Sequence, residues 1–488
     1  MGPLLKRLLA SSLAYQAPAV LAAALALFTL PLYTRALSEA DYGYAETLLT
    51  FIILASIVLR VGVGEAFVRF WFDDEDAERR ERLARTTVTV VATTTTVAAL
   101  AGLLVAGTLS ELLLDTRDAT LLACGLLGLW AFTNLEVAYA LLRVEERRAA
   151  FVRASLANVV LTVTLTVLLV VVLDQGARGY VLGNYAASTV VLLALWAEQG
   201  RRIRPIRPRA LGALVRFGVP TIPAEAAVFA LNVVDRAYLL RAESPRAAGV
   251  YAVGVKLATT VILVVRAFQA AWPPLAYSVA DDDQARRLYA TVATLYVLVV
   301  GAAVAALALL GRWAVRLLAA PEYYEAHEAL PWVALGWGLY GLYLLFVTIA
   351  GRAKVTTRNA PAALAGLAVN VGVLVVAVPR VGIAGAGIAL CAAYAVMLAV
   401  IHLLTRRLFA VPFAWGRMGA IAGVLGAVAV AGELLLPTEG ALGLASRCAA
   451  VALIPLVLLP LSTPRERDLM RRALRRPPNA DQAPAPGA

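Results

Sequence analysis

Fourteen apolar runs, each long enough to cross a lipid bilayer, occupy most of this 488-residue chain. A helix needs about 20 consecutive apolar residues to span the hydrocarbon core of a membrane. The runs lie near residues 9–33, 44–66, 86–108, 119–142, 152–173, 180–200, 213–239, 249–273, 288–310, 329–350, 360–379, 383–404, 415–436 and 440–462. Apolar residues make up 61% of the chain and charged residues only 16%, which excludes a soluble protein. The sequence therefore predicts an all-α polytopic membrane protein with about 14 transmembrane helices.

Basic residues are distributed unevenly between the two sides of these spans. The segments on the side of the N-terminus carry 29 Lys and Arg residues, and the segments on the other side carry 8. Cytoplasmic loops of membrane proteins are enriched in Lys and Arg, so both termini are predicted to be cytoplasmic. The basic residues form short clusters without an aromatic-interleaved stripe, which argues against a nucleic-acid partner despite the net charge of +12.

An internal repeat relates the first six spans to the next six. Its landmarks recur at offsets of 205 to 212 residues: Arg79 and Arg80 with Arg286 and Arg287, Tyr33 with Tyr238, Gly43 with Gly249, and Asn158 with Asn370. Because six spans separate the equivalent residues, both halves have the same orientation in the membrane, and the repeat is parallel.

The repeat predicts the domain organisation. Residues 1–209 and 210–407 form two six-helix lobes around a central cavity, and residues 408–463 form two further helices. Residues 464–488 are basic and then rich in Pro and Ala, which predicts a disordered cytoplasmic tail.

Sequence signatures of enzymes are absent from the chain. It contains no Gly-rich phosphate loop, no His-Glu-x-x-His motif and no cluster of Cys and His. The acidic runs 73–76 and 281–283 resemble metal-diphosphate motifs of membrane transferases. They recur symmetrically before two predicted helices, however, where carboxylates stabilise a helix N-terminus. We therefore expect no enzymatic activity, no metal and no organic cofactor.

Ionisable residues within the apolar runs are the candidates for function. A charge at the centre of a span costs about 2.5–3.5 kcal/mol, so it must pair, reach an interface or line a wet cavity. Arg60, Lys256 and Arg266 are deep and cationic, and Arg236 lies near a span end. These four cations are the predicted lining of a substrate-binding cavity. Glu433 and Arg447 lie near span ends and are expected to extend to the interface.

Carboxylates and prolines in the spans have two interpretations each. Asp235, Glu225 and Glu65 are candidates either for binding a coupling ion, H⁺ or Na⁺, or for structural ion pairs, and Asp235 with Arg236 is such a pair in the second interpretation. Pro220 and Pro223 interrupt the backbone hydrogen bonds early in the seventh span. They predict either a hinge or a packing kink.

Several segments resemble one family of membrane transporters. They include "LPLYTRALSEADYGYAETLLT", "FGVPTIPAEAAVFALNVVDRAYL", "GVYAVGVKLA" and "LGWGLYGLYLLFVTIAGRAKVTTRNAPAALAGLAVN". In their order and spacing, these segments are similar to the polysaccharide-biosynthesis flippases of the multidrug/oligosaccharidyl-lipid/polysaccharide (MOP) superfamily. Glu65 departs from the resemblance, because relatives commonly have a small polar residue there.

The resemblance implies a function in the bacterial inner membrane. Such flippases move undecaprenyl-diphosphate-linked oligosaccharides to the periplasmic leaflet by alternating access, for O-antigen, exopolysaccharide or capsule synthesis. Implied partners are the lipid-linked oligosaccharide, the bilayer and a polysaccharide polymerase. The alternatives are a flippase for the lipid-linked peptidoglycan precursor, a cation-coupled multidrug exporter and a membrane enzyme of glycan assembly.

The positive charge of the deep residues distinguishes between these alternative functions. An exporter of cationic drugs favours acidic cavity residues, whereas a lipid-linked diphosphate favours Arg and Lys. We therefore expect Arg60, Lys256 and Arg266 to bind the diphosphate, since few carboxylates lie at matching depths in the sequence. The competing interpretation is that each cation pairs with a carboxylate such as Asp235 or Glu225 and only holds helices together.

Overall fold

The computed structural model of the protein is all-α in the residues it describes. These are residues 18, 21–71, 76–200, 211–219, 222–279, 281–352 and 358–461. Within those ranges, the side chains of the following residues are outside the description: Glu65, Arg69, Phe217, Ala224, Asn232, Ala267, Ala270, Ala271, Pro274 and Ser278. The predicted tail, 464–488, lies outside the described residues.

Seventeen helices of eight residues or more follow one another in the described residues. They are α1 Leu21–Ala36, α2 Glu39–Leu59, α3 Val63–Trp71, α4 Ala77–Leu104, α5 Ala106–Leu114, α6 Ala119–Val144, α7 Arg148–Val167, α8 Gly176–Gln199, α9 Leu211–Gly218, α10 Ile222–Ala242, α11 Pro245–Ser278, α12 Asp282–Leu318, α13 Ala326–Arg352, α14 Asn359–Val381, α15 Ile383–Thr405, α16 Trp415–Leu435 and α17 Gly440–Leu458.

Twelve of these helices are long and apolar enough to cross a membrane. Together with the shorter apolar helix α1 and the charge-bearing helix α10, they correspond to the fourteen predicted spans. The predicted fold class, a polytopic all-α membrane protein, is therefore confirmed.

Side-chain caps determine where several helices begin. Ser38 caps α2 by accepting from the backbone N–H of Asp41 (3.1 Å). Asp76 caps α4 and Asp118 caps α6 in the same way. Such caps satisfy backbone donors that have no partner in the first helical turn. The cap at Ser38 starts the second span five residues before its predicted beginning at 44.

The second span also ends earlier than the predicted residue 66. Val61 and Gly62 adopt positive φ angles of 52° and 65°, and this left-handed turn cannot continue a right-handed helix. Helix α2 therefore ends at Leu59, and α3 starts at Val63. Arg60 is the residue that caps the end of α2, not a residue of the span interior.

The seventh span consists of two helices. Helix α9 ends at Gly218 and α10 begins at Ile222. Pro223 lies in the first turn of α10, where proline removes no helical hydrogen bond. Pro220, the other predicted hinge residue, lies outside the described residues.

The chain divides into two compact units. The first runs to Tyr277 and includes Gly311–Phe409, and the second contains Ser278–Leu310 and the chain from Ala410 onward. The predicted lobe 1–209 falls within the first unit, whereas residues 278–310 of the predicted lobe 210–407, which include its ninth-span region 288–310, belong to the second unit. Their boundary at residues 209 and 210 stays a prediction.

The second unit buries an arginine in an apolar core. Leu309 of α12, Ile421 of α16 and Ile454 of α17 belong to this core. Arg447 is 0% exposed and donates to Glu433 (2.7 Å) and to the carbonyl of Leu309 (3.2 Å). Glu433 on the neighbouring helix is 48% exposed and neutralises this charge. Arg447 also donates to the carbonyls of Leu436 (3.5 Å) and Pro437 (3.4 Å) between α16 and α17, so the guanidinium extends to the end of the span although the residue is buried.

Candidate functional site

A cavity of about 520 Å³ lies within the first unit. Its wall is built mainly by α10, α11 and α13, and it is completed by the beginning of α14, Ile57 of α2 and Tyr394 of α15. The volume is within the range of about 300–1,000 Å³ that is typical of small-molecule sites.

Aromatic rings cover one side of this cavity. Trp337, Tyr340 and Tyr343 follow one another at three-residue spacing on α13, which places them on one face of the helix. Tyr394 of α15 joins them, with its ring centroid 5.2 Å from that of Tyr340. Trp337 lies 5.8 Å from Tyr340. We call these four residues the aromatic wall.

Arg266 supplies a cation to the same cavity. It lies on α11 with Ile262, Val265 and Gln269, at the spacing of one helical face. Its side chain is exposed, and no carboxylate of the described residues forms an ion pair with it. Of the predicted cavity cations, Arg266 is the one that lines this cavity.

Arg60 has a carboxylate partner. Its Nη2 lies 3.3 Å from Oε1 of Glu225, a residue that also lines the cavity. The Arg60 side chain is 17% exposed and that of Glu225 is 41% exposed. Arg60 thus has the partner that the competing interpretation named, Glu225, because α10 begins opposite the end of α2.

Lys256 is held by three side chains of the other predicted lobe. Its Nζ donates to Oε1 of Glu46 (2.6 Å), Oη of Tyr42 (2.8 Å) and Oη of Tyr180 (2.7 Å). Tyr180 in turn donates to Glu46 (2.8 Å). The Lys256 side chain is 18% exposed and that of Glu46 is 12% exposed, so solvent screens this pair little. Lys256 is therefore a paired cation, as in the competing interpretation, although its partner is Glu46 rather than Asp235 or Glu225.

Glu46 is the functional candidate that the sequence analysis missed. The predicted second span started at residue 44, so Glu46 counted as a residue of the span edge. Ser38, followed by Glu39 and Asp41, is a helix-start signal, and it places Glu46 two turns inside α2. Reading this cap first would have identified Glu46 as a buried carboxylate.

Asp235 and Arg236 do not form the predicted ion pair through their side chains in the described structure. The carboxylate of Asp235 accepts from Tyr251 Oη (2.5 Å) and from the backbone N–H of Arg236 (3.0 Å). The guanidinium of Arg236 donates instead to Thr50 of α2. The reason is helical geometry, since consecutive residues point to different sides of α10. Asp235 is 2% exposed.

The structure thus brings together only part of the predicted site. Arg266 and Glu225 line one cavity, and Arg60 joins them through Glu225. Lys256 and Asp235 belong to two separate buried clusters, each with its own tyrosine partners. The side chain of Glu65 lies outside the description.

Helices of the two predicted lobes touch at a pair of glycines at one end. A Cβ on Gly249 would lie 1.9 Å from the carbonyl oxygen of Glu39 and 3.1 Å from the backbone nitrogen of Gly43. The start of α11 therefore contacts the start of α2 through bare backbone. Gly43 and Gly249 are equivalent landmarks of the sequence repeat, and such a contact is expected where a pseudo-two-fold axis runs between equivalent helices.

A second pair of glycines touches at the other end of α2. A Cβ on Gly62 would lie 2.1 Å from the carbonyl oxygen of Gly218, the last residue of α9, and a Cβ on Gly218 would lie equally close to that of Gly62. Backbone contacts between the predicted lobes therefore occur at both ends of α2.

Metal ligands are not clustered in the described part of the chain. No group of three or more His, Cys, Asp or Glu residues is arranged there to hold a metal ion.

Sequence comparison identifies a family. The sequence model of the family described as "Polysaccharide biosynthesis protein" matches residues 32–328. A search of curated proteins finds no match.

Solved structures share the fold at low sequence identity. The lipid II flippase MurJ in an inward closed conformation has a TM-score of 0.75 at 13% identity, over 94% of this chain and 99% of that chain. A multidrug resistance MATE family transporter of the MOP superfamily, in an inward-facing conformation, has a TM-score of 0.63 at 15% identity, over 84% and 96% of the two chains. The MATE transporter VcmN of Vibrio cholerae, in its bent form, has a TM-score of 0.55 at 15% identity, over 83% and 97%.

Proposed function

Because this chain belongs to the family of polysaccharide biosynthesis proteins, we propose that it is a flippase for an undecaprenyl-diphosphate-linked oligosaccharide. It moves this lipid from the cytoplasmic to the periplasmic leaflet of the bacterial inner membrane by alternating access, for the synthesis of O-antigen, exopolysaccharide or capsule. Both of its termini are cytoplasmic in this proposal. The neighbouring MurJ and MATE folds are those of a flippase and of transporters, which supports a transport function over an enzymatic one.

Arg266 carries this proposal. An unpaired guanidinium inside a membrane protein is expensive, so such residues mark substrate or ion pathways. The five donors of a guanidinium match the acceptor oxygens of a phosphate in bidentate geometry. Glu225, the carboxylate of the same cavity, is already engaged by Arg60. The cavity therefore favours an anionic substrate over the cationic drugs of a multidrug exporter.

The lipid-linked peptidoglycan precursor is the second candidate substrate. The TM-score of 0.75 to a lipid II flippase supports it, and this precursor presents the same diphosphate to Arg266. The family assignment favours a polysaccharide precursor instead. The two substrates differ in the group attached to the diphosphate, so the experiment below compares them.

The test is transport by the purified protein in liposomes. We expect movement of a fluorescent polyprenyl-diphosphate oligosaccharide, with Arg266→Ala at least tenfold slower and Arg266→Lys partly active. Arg407→Ala, which removes an exposed cation outside the cavity, is the matched control and should transport at the wild-type rate. Faster transport of the peptidoglycan precursor would support the second candidate, and movement of neither lipid would contradict the proposal.

Asp235 is the proposed coupling-ion carboxylate. It is buried and faces a tyrosine hydroxyl rather than a cation side chain, so it can gain a proton or a Na⁺ without breaking an ion pair. We expect Asp235→Asn to transport at the same rate with and without an imposed ion gradient, whereas the gradient accelerates the wild type. Equal dependence on the gradient in both proteins would exclude Asp235 from coupling. No other cofactor is proposed, and the polysaccharide polymerase remains a proposed partner.

A further inference from the structure

Three polar atoms on the cavity lining have no hydrogen-bond partner among the residues that the structure describes. They are Nε1 of Trp337, Oη of Tyr394 and Oδ1 of Asn359, all of them buried atoms. The whole Tyr394 side chain is 0% exposed. Leaving such an atom unpaired costs roughly 1–3 kcal/mol, and native proteins contain few such atoms. Arg266 lines the same cavity and forms no ion pair within the described part of the chain. Together with the position of the three atoms around this cavity, it indicates that the cavity is built for a polar ligand.

The arrangement of these atoms fits a sugar. Trp337 and Tyr340 of the aromatic wall are partly exposed and offer ring faces, on which the C–H face of a pyranose can pack. The three buried atoms are an indole donor, a hydroxyl that donates or accepts, and an amide acceptor. Sugar hydroxyls both donate and accept, so they can pair with all three. A purely apolar ligand would leave these atoms unsatisfied.

The position of Arg266 indicates which sugar of the oligosaccharide packs against the aromatic wall. In a polyprenyl-diphosphate oligosaccharide, one sugar is joined directly to the diphosphate, and the others follow it. Because Arg266 and the aromatic wall line the same cavity, a diphosphate bound by Arg266 brings this first sugar to the wall. We propose that Trp337, Tyr340, Tyr394 and Asn359 form a subsite for the sugar directly attached to the diphosphate. This inference rests on the proposed function.

The test measures equilibrium binding to the purified full-length protein with two radiolabelled probes. One is a short-chain polyprenyl diphosphate, and the other is the same lipid diphosphate carrying a single hexose. We expect the hexose-bearing probe to bind the wild type at least tenfold more tightly. Tyr340→Leu should reduce this ratio to about one without weakening the sugar-free probe, and Tyr394→Phe should reduce it several-fold. Arg266→Ala should weaken both probes and preserve the ratio.

Two further variants control for misfolding. Tyr340→Trp keeps an aromatic face and should retain the preference for the hexose, and Tyr139→Leu removes a buried ring outside the cavity and should not alter the ratio. Equal binding of the two probes to the wild type would overturn the sugar subsite and leave the proposed function intact. A parallel loss of both affinities in Tyr340→Leu would overturn it as well. Absence of binding by either probe would refute the proposed function, and the subsite with it.

Discussion

Individual cations of the spans differ in whether a carboxylate reaches them. In the sequence, Arg60, Lys256 and Arg266 are alike, because all three are cations in apolar runs. Glu225 lies 165 residues from Arg60, and Glu46 lies 210 residues from Lys256. One sequence contains no signal for pairs so distant, since they depend on how helices of different lobes meet. Among these three cations, Arg266 is the one that lines the cavity and forms no ion pair with a carboxylate of the described residues.

The Lys256–Glu46 pair should behave as a stabilising contact rather than as a substrate ligand. Removing one member of a buried pair leaves the other uncompensated and typically costs about 3–5 kcal/mol. We therefore expect Lys256→Met and Glu46→Gln each to lower the thermal unfolding temperature, and the double variant to be less destabilised than the two effects added together. Thermal unfolding in detergent measures this cycle.

A variant of Arg266 is the control for the thermal unfolding of the Lys256 and Glu46 variants. Arg266→Met removes a cation without a carboxylate partner among the described residues, and should leave the unfolding temperature near that of the wild type. Additive effects of Lys256→Met and Glu46→Gln would show that the two residues do not stabilise each other. Lys256 would then return as a candidate substrate ligand.

At the scale of helices, the span pattern was predictable and the helix ends were not. Hydropathy located each crossing, because about 20 apolar residues in succession are a strong signal. It could not place the end of α2, where Val61 and Gly62 turn the chain in the left-handed conformation. It also overlooked the cap at Ser38, since a polar cap does not alter a window average. Because the cap at Ser38 was overlooked, Glu46 was not recognised as a residue two turns inside α2.

The variant Gly249→Ala tests whether the contact between Gly43 and Gly249 closes one end of the cleft between the predicted lobes. The methyl group of Gly249→Ala cannot fit 1.9 Å from the carbonyl of Glu39, so we expect the variant to favour a state with this end open. A cysteine at Val253, which is 0% exposed one turn further along α11, should then react faster with a polar maleimide in a cysteine-free background.

Gly372→Ala is the matched control for this experiment. It adds the same methyl group to α14, where nothing lies within 4 Å, and should leave the labelling rate unchanged. Equal labelling in both variants would mean that α2 and α11 accommodate the methyl group without separating, and that the contact is not a closure.

At the scale of the whole molecule, the sequence predicted the membrane class and the repeat that relates Gly43 to Gly249. The prediction depended on composition and on landmarks that recur along the chain, and both are properties of a single sequence. The aromatic wall was not predicted, although three of its four residues, Trp337, Tyr340 and Tyr343, stand in the segment "LGWGLYGLYLL". An aromatic stripe at helical spacing is common in ordinary cores, and only the cavity beside it distinguishes this one.

Sidedness follows from the basic residues and has a direct test. Both termini are predicted to be cytoplasmic, so single cysteines at Ser38 and Gln175 should react with an impermeant maleimide from the periplasm. Cysteines at Ala77 and Arg407 should react only after the membrane is permeabilised. All four positions are exposed. Reversed labelling at both sites of either pair would invert the assignment.

The contact between Gly43 and Gly249 has a kinetic consequence. Gly43 and Gly249 contribute no side chain to this crossing, so neither residue has one to withdraw when α2 and α11 separate. Arg246, which reaches Glu39 across the same end (3.4 Å), is 55% exposed and contributes little. We therefore expect the barrier to separating α2 from α11 to depend strongly on the buried hydrogen bonds of Lys256, and the lifetime of a state closed at this end to depend on how often one lysine leaves one glutamate.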